Sequence, residues 1–210
     1  MKDTVIVPEP VRHLVDARCD VLPGRAVHPD VEADESRVVA RAAGGDERAL
    51  RTLIELHYDA CLRYATRLLG NRSDAEDVVQ DVFVRMYRGL PAYREQGHFR
   101  AWLFRILVNQ CRTIATSSGA RRATQLDDVP EQELVSEDRD VATMRSIERA
   151  VAALPELLRE AFILKFVEGW SYEEMAEMTG ASTSALKMRV ARGRDMLREQ
   201  LREVYDVRAS

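Results

Sequence analysis

Between Arg85 and Arg122 the chain sets eight arginines against a single acid, Glu95, a local charge of +7. Guanidinium groups at that density suit phosphate, and the affinity they give is largely indifferent to sequence. Tyr87, Tyr93, Phe99, Trp102 and Phe104 are interleaved with them. Aromatic faces beside a basic track suit a strand whose bases are unstacked. Arg105, Asn109 and Arg112 recur at i, i+4 and i+7, which places them on one face of a helix. A plainer reading also fits: Phe99 and Trp102 are core residues and the arginines form a solvated face. A second basic set, Lys187, Arg189, Arg192, Arg194 and Arg198, lies near the C-terminus.

Other chemistry is poorly served. The histidines, His13, His28, His57 and His98, form no i, i+4 ligand pair, and GxSxG, HExxH and phosphate-loop patterns are missing. The expectation is no catalytic residue, no metal and no cofactor. Cys19, Cys61 and Cys111 stand far apart, with no CxxC and no neighbouring histidine at metal spacing. That argues against a zinc site or a disulfide framework and fits a reducing cytosol. No apolar run approaches the roughly 18 residues of a membrane span. The short stretch Val5 to Val7 runs at once into Pro8, Glu9 and Pro10, unlike a signal peptide. A cytoplasmic location is expected.

The elements that must carry the basic groups are helical. Of 210 residues, 46% are hydrophobic and 31% charged, with 10 Gly and 7 Pro. This balance predicts an all-α protein. The net charge of −4 hides an uneven distribution: −4 over 1–35, +6 over 36–123, −5 over 124–145 and −1 over 146–210. The aperiodic, Pro-containing residues 1–35 are expected to be a disordered extension. A helical unit over 36–118, a flexible acidic linker over 119–145, a second unit over 146–204 and a tail over 205–210 follow.

In the first unit a short helix ends at Gly44-Gly45, and Asp46 caps a long one that stops before Gly70. Leu50, Leu53, Ile54, His57, Cys61, Tyr64 and Leu68 form its apolar stripe, with His57 read as a core or boundary residue. Ser73-Asp74-Ala75-Glu76 reads as a capping box opening a helix with Asp74, Glu76, Asp77 and Asp81 in its early turns and Val78, Val82, Phe83 and Met86 on one side. A further helix runs from Phe99 to about Thr116. In the second unit Pro155 suits the first turn of a helix that Gly169 ends.

Ser171-Tyr172-Glu173-Glu174 is another capping box, Gly180 supplies a left-handed stop, and Ser182 can cap the next helix. Leu186, Val190, Gly193 and Leu197, spaced 4, 3 and 4, point inward and leave Ser184, Lys187, Met188, Ala191 and Arg192 outward. Short helix, tight turn and basic second helix make a helix-turn-helix, whose second helix enters the major groove of duplex DNA. An ordinary helical hairpin with a basic face would show the same pattern.

Three stretches together resemble the sigma-70 family of RNA polymerase sigma factors. Ser73 to Arg88 looks like the core-binding signature, Phe99 to Asn109 like the promoter-melting segment, and Leu154 to Glu177 with Lys187-Met188-Arg189 like the C-terminal domain. The short linker matches the compact extracytoplasmic-function group. The resemblance implies two small helical domains and a promoter-specificity subunit without chemistry of its own. Asp74, Asp77, Gln80 and Asp81 would dock on the clamp helices of core polymerase, and the C-terminal domain on its flap. Tyr93, His98, Phe99, Arg100, Trp102, Arg105, Asn109 and Arg112 would bind and melt the −10 element, with one base flipped into a pocket near Tyr93 to Phe99. Ser182, Ser184, Lys187, Met188, Arg189 and Arg192 would read the −35 element. Met188 departs from the Ser common at its position. The acidic linker would thread the polymerase cleft or act as a solvated tether. The family also implies an anti-sigma partner. The competing function is a stand-alone helix-turn-helix regulator, which would bind its operator tightly without polymerase. A sigma factor binds weakly alone, because polymerase positions its two halves.

Overall fold

A computed structural model describes the backbone of residues 32–94, 98–122 and 147–209. Among these residues every regular element is helical. Helix α1 is Glu32–Ala43, α2 Glu47–Leu69, α3 Arg72–Gly89 and α4 Phe99–Arg122, with a 3-10 turn at Leu90–Ala92. Helix α5 spans 147–153. Helix α6 is Glu156–Phe162, continued by a π-helical turn at Ile163–Val167; α7 is Tyr172–Thr179 and α8 Thr183–Ala209. Of the extension predicted over 1–35 and the linker predicted over 119–145, residues 1–31 and 123–145 lie outside the described residues, whereas 32–35 already belong to α1 and 119–122 still belong to α4.

Local chemistry explains the helix ends. The Asp46 carboxylate accepts from the Arg48 and Ala49 amides at 2.9 and 3.2 Å and opens α2. Arg41 also holds Asp46, and this bond, with the cap bonds, keeps the carboxyl below its usual range. Gly70 closes α2 at φ +69°, a conformation that disfavours a Cβ. Helix α3 differs from expectation. Its cap is Asn71, whose side chain accepts from Ser73 and Asp74, so Ser73 lies inside the helix and Glu76 pairs with Arg72 at 2.8 Å. Asn71 directly follows the left-handed Gly70, and the chain is already turned there to start a helix. Helix α1 begins four residues before Ser36, and its Glu35 bonds His57 at 2.7 Å. Helix α4 runs past Thr116 to Arg122.

The first unit packs α1 to α4 around an apolar core. Leu53, Cys61, Tyr64, Val82, Phe83, Phe104 and Leu107 are each 0% exposed. Phe83 stacks on Tyr58 at 6.2 Å between centroids, and Tyr64 meets Phe104 edge-on at 5.8 Å. The whole predicted stripe of α2 faces this core, His57 included. Burial holds the Cys61 and Cys111 thiols protonated: Cys61 is pushed above its usual range and Cys111 up to about 12.

The second unit wraps α5, α6 and α8 around Ala150, Leu154 and Leu197. Its other apolar residues, Ile163, Leu164, Trp170, Met175, Met178, Leu186 and Val190, run into the same hydrophobic core as α2 to α4. The two units are thus packed face to face, with α7 against α4.

Candidate nucleic-acid interface

The C-terminal helix pair is built from three local devices. Ser171 Oγ accepts from the Glu174 amide at 3.1 Å, and Glu174 accepts from the Ser171 amide at 2.8 Å, a complete capping box. Gly180 adopts φ +70°, and its amide donates to Ala176 at 2.9 Å. Ser182 Oγ then accepts from the Ala185 amide at 3.2 Å and starts α8. Leu186, Val190, Gly193 and Leu197 are buried as their spacing predicts. On the opposite face Ser182, Ser184, Lys187, Met188, Ala191 and Arg192 are exposed, and Arg189 is half-buried. Met188 is 54% exposed, so its thioether is presented to solvent on this face.

Tyr172 was not singled out as a functional residue in the sequence. The ammonium groups of Lys165 and Lys187 lie 4.7 and 5.6 Å from its ring centroid. Lys165 also donates to the Trp170 carbonyl at 3.0 Å. The ring thereby orients Lys187 from below by cation–π attraction. The π-helical turn that brings Lys165 there leaves no compositional mark.

The basic helix α4 divides its predicted residues into two sets. His98, Arg105 and Asn109 are exposed to solvent. Beside them an aromatic group forms: Tyr93 lies 4.8 Å from Trp102 and 5.7 Å from Phe99, and Phe99 lies 5.4 Å from His57. Tyr93 and Trp102 are half-buried, whereas Phe99 is 2% exposed and supports the other two rings from the core. Gly89 forms the floor: a Cβ there would come within 3.0 Å of Trp102 Cζ2. Residues 95–97, part of the loop expected to receive a base, lie outside the described residues.

Arg100 and Arg112 turn the other way, toward the second unit. Arg112 makes a two-pronged pair with Glu160 at 2.7 Å on each prong and donates to the Thr179 carbonyl at 2.9 Å. Glu160 is 2% exposed, and its hydrogen bond to Arg112 raises the guanidinium pKa further. Arg100 sits 4.1 Å above the Trp170 ring, donates to the Glu168 carbonyl at 3.1 Å and stands 3.7 Å from the Glu168 carboxylate. Burial raises the Glu168 carboxyl, and the Arg100 charge offsets only part of that cost. Arg159 crosses the seam in reverse and donates to the Leu68 carbonyl at 2.9 Å. The one-face spacing of Arg105, Asn109 and Arg112 therefore holds for the helix, but Arg112 faces protein.

The acidic helix α3 presents Asp77 and Gln80 to solvent, with Asp74 half-buried at its first turn. Asp81 is half-buried and accepts from Arg85 at 2.9 Å and from Gln110 of α4. Among the described residues no group of His, Cys, Asp or Glu could hold a metal, and no helix is long and apolar enough to cross a membrane.

Comparison with known proteins matches residues 53–121 to Sigma-70 region 2 and residues 144–197 to Sigma-70, region 4. The ECF RNA polymerase sigma-E factor of Haemophilus influenzae is 29% identical over 80% of this chain and 95% of its own length. The ECF RNA polymerase sigma factor SigE of Mycolicibacterium smegmatis is 34% identical over 76% of this chain and 65% of its own. Among solved structures, CnrH in complex with the cytosolic domain of CnrY superposes with a TM-score of 0.62 at 27% identity, over 80% of this chain and 97% of that one. The sigma factor RpoE of Bartonella quintana, bound to the anti-sigma factor NepR, gives 0.58 at 27% identity over 72% and 96%.

Proposed function

The chain belongs to the extracytoplasmic-function sigma factors of the sigma-70 family, and from that premise we propose which of its residues carry each contact in promoter recognition. It is a sigma factor, a subunit that joins core RNA polymerase and directs it to promoters. It works by binding and positioning, with no reaction of its own, in the cytoplasm. Helices α1 to α4 form the unit for polymerase and the −10 element and α5 to α8 the unit for the −35 element, with the acidic stretch between α4 and α5 as the linker.

In this reading Asp74, Asp77, Gln80 and Asp81 form the polymerase-docking face. Asp77 and Gln80 meet basic clamp helices directly, since both are already free in solvent. Arg105 and Asn109 track the −10 strand, while Tyr93 and Trp102 offer the ring faces on which unstacked bases rest. Phe99 acts beneath them as a support. Ser182, Ser184, Lys187, Met188, Arg189 and Arg192 form the −35 surface. An anti-sigma factor of the type bound in the related complexes would cover the polymerase-binding faces.

The observation that carries the reading is the exposed basic face of α8 in one chain with the exposed acidic face of α3. A duplex-reading helix alone would serve any regulator, whereas the acidic helix serves docking to polymerase. The test is run-off transcription from genomic promoter fragments with core polymerase. Discrete promoter-specific transcripts are expected only when this protein is added. Tight operator binding without polymerase, and no transcripts with it, would overturn the reading in favour of a stand-alone regulator.

Within that assay the −35 residues separate by role. Arg192→Ala should weaken holoenzyme binding evenly across promoters and lower the salt-dependence slope by about 1. Lys187→Ala should instead lose roughly 1–3 kcal/mol of discrimination among −35 variants. Filter binding over a salt series reads both; identical behaviour of the two variants would refute the division.

A further inference from the structure

We propose that the Glu35–His57 pair is the positioning device of the base-receiving pocket: it anchors α1 beneath the Phe99 ring and so fixes the platform from which Tyr93 and Trp102 present their faces to the −10 strand. This rests on the promoter-binding reading of α4, and it gives α1 a part in strand capture without a DNA contact of its own.

His57 is the odd member of an apolar stripe. It is 4% exposed and shares its buried face with Leu53, Ile54 and Cys61, where a leucine would pack with no polar group to satisfy. Its Nε2 lies 2.7 Å from Glu35 Oε1, across from α2 to α1. A buried pair of this kind is a weak source of stability, and its better use is to select one arrangement. The outer torsion of an imidazole is broad, and a hydrogen bond at one nitrogen settles the plane of the ring.

From that plane a relay of rings runs outward. His57 lies 5.4 Å from Phe99, Phe99 lies 5.7 Å from Tyr93 and 5.6 Å from Trp102, and those two lie 4.8 Å apart. All these separations fall within the contact range of aromatic pairs. Exposure rises along the relay: His57 and Phe99 are buried, Tyr93 and Trp102 half-buried. Helix α1 reaches the same pocket by a second route. It packs on the 3-10 turn Leu90–Ala92, and that turn delivers Tyr93, whose amide donates to the Gly89 and Leu90 carbonyls at 3.1 Å each. Helix α1 thus braces the platform from beneath, through His57, and from its side, through the turn. Glu35 precedes residues 53–121, so this brace begins outside the stretch matched to Sigma-70 region 2. An unstacked base must regain on the rings what it lost in the duplex, and a platform already held in place need not be ordered at that moment. The brace therefore serves strand opening rather than docking.

Holoenzyme made with the full chain is compared for Glu35→Ala, Glu35→Gln, His57→Leu and, as a charge control on the exposed face of α2, Asp59→Asn, on a promoter that the run-off assay identifies. The measurements are affinity for core polymerase, affinity for promoter duplex before opening, and the rate of opening from the emission of 2-aminopurine placed at each −10 position in turn. Glu35→Ala and His57→Leu should slow opening by about tenfold, the scale of one lost hydrogen bond to a carboxylate, with both affinities within about twofold of wild type. They should also blunt discrimination among −10 variants. Glu35→Gln keeps an acceptor for His57 and should open close to the wild-type rate, as should Asp59→Asn. Wild-type opening with Glu35→Ala, equal losses with Glu35→Gln and Glu35→Ala, or a fall in polymerase affinity as large as the fall in opening overturns the proposal. Should His57→Leu lose helicity, the two Glu35 variants decide alone. Trp102→Ala separates the two levels. Normal opening with Trp102→Ala refutes the reading of α4, whereas slowed opening with Trp102→Ala beside normal opening with Glu35→Ala refutes only the brace.

Discussion

Reversing Asp77 and Asp81 to lysine should cost about 2–5 kcal/mol of association with core polymerase, roughly 30-fold or more. Both sites lie on the acidic helix α3, where opposing lysines would turn an attraction toward a basic partner into repulsion. The two are not equivalent. Asp77 is exposed, so Asp77→Lys should leave the fold untouched. Asp81 accepts from Gln110 and Arg85 and thereby ties α3 to α4. Asp81→Lys therefore loses a tertiary bond as well. Surface plasmon resonance against immobilised core polymerase, with helicity checked by circular dichroism, separates the effects. Unchanged polymerase affinity in the double variant would show that α3 is not the docking face.

Phe83→Ala should be the most damaging single change to the fold. The ring is 0% exposed and stacks on Tyr58. Truncating a buried Phe costs about 3–5 kcal/mol, in transfer free energy and in the cavity left behind. Against a net stability on the order of 5–15 kcal/mol, that removes a large share. Urea titration should show a lower midpoint with little change in slope. A wild-type midpoint would mean that the core collapses around the gap. Asp77→Lys should leave the midpoint unchanged, so the pair separates docking from folding.

Helical periodicity made much of this legible from residues alone. The stripe from Leu50 to Leu68 and the 4, 3, 4 spacing of Leu186, Val190, Gly193 and Leu197 are direct consequences of 3.6 residues per turn. The Ser171 capping box and the Gly180 stop are equally local, and the structure shows both. The start of α3 was less clear because two good caps stand two residues apart. Asn71 wins because Gly70 has already turned the chain. Helix α4 outlasts its expected end near Thr116 by six residues, because it carries Ser117, Ser118 and Gly119 within it although such residues ordinarily weaken a helix.

The seam was not legible at all. Arg112 and Glu160 are 48 positions apart, and a pattern that assigns faces cannot say which protein surface covers a face. Arg105 and Arg112 look interchangeable on a helical wheel, yet one meets water and the other a carboxylate. Tyr172 reads only as part of a capping box, since its two lysines come from a π-helical turn and from α8. Long-range electrostatics of this kind leaves no short-range signal.

The two thiols of the first unit give the molecule a clock. Cys61 and Cys111 are fully covered and held protonated, so an alkylating reagent cannot react with them in the native state. Each label they accept records one opening event, in the manner of amide hydrogen exchange. With Cys19 replaced, mass spectrometry of the labelled chain would time those openings residue by residue, with no probe added to the fold.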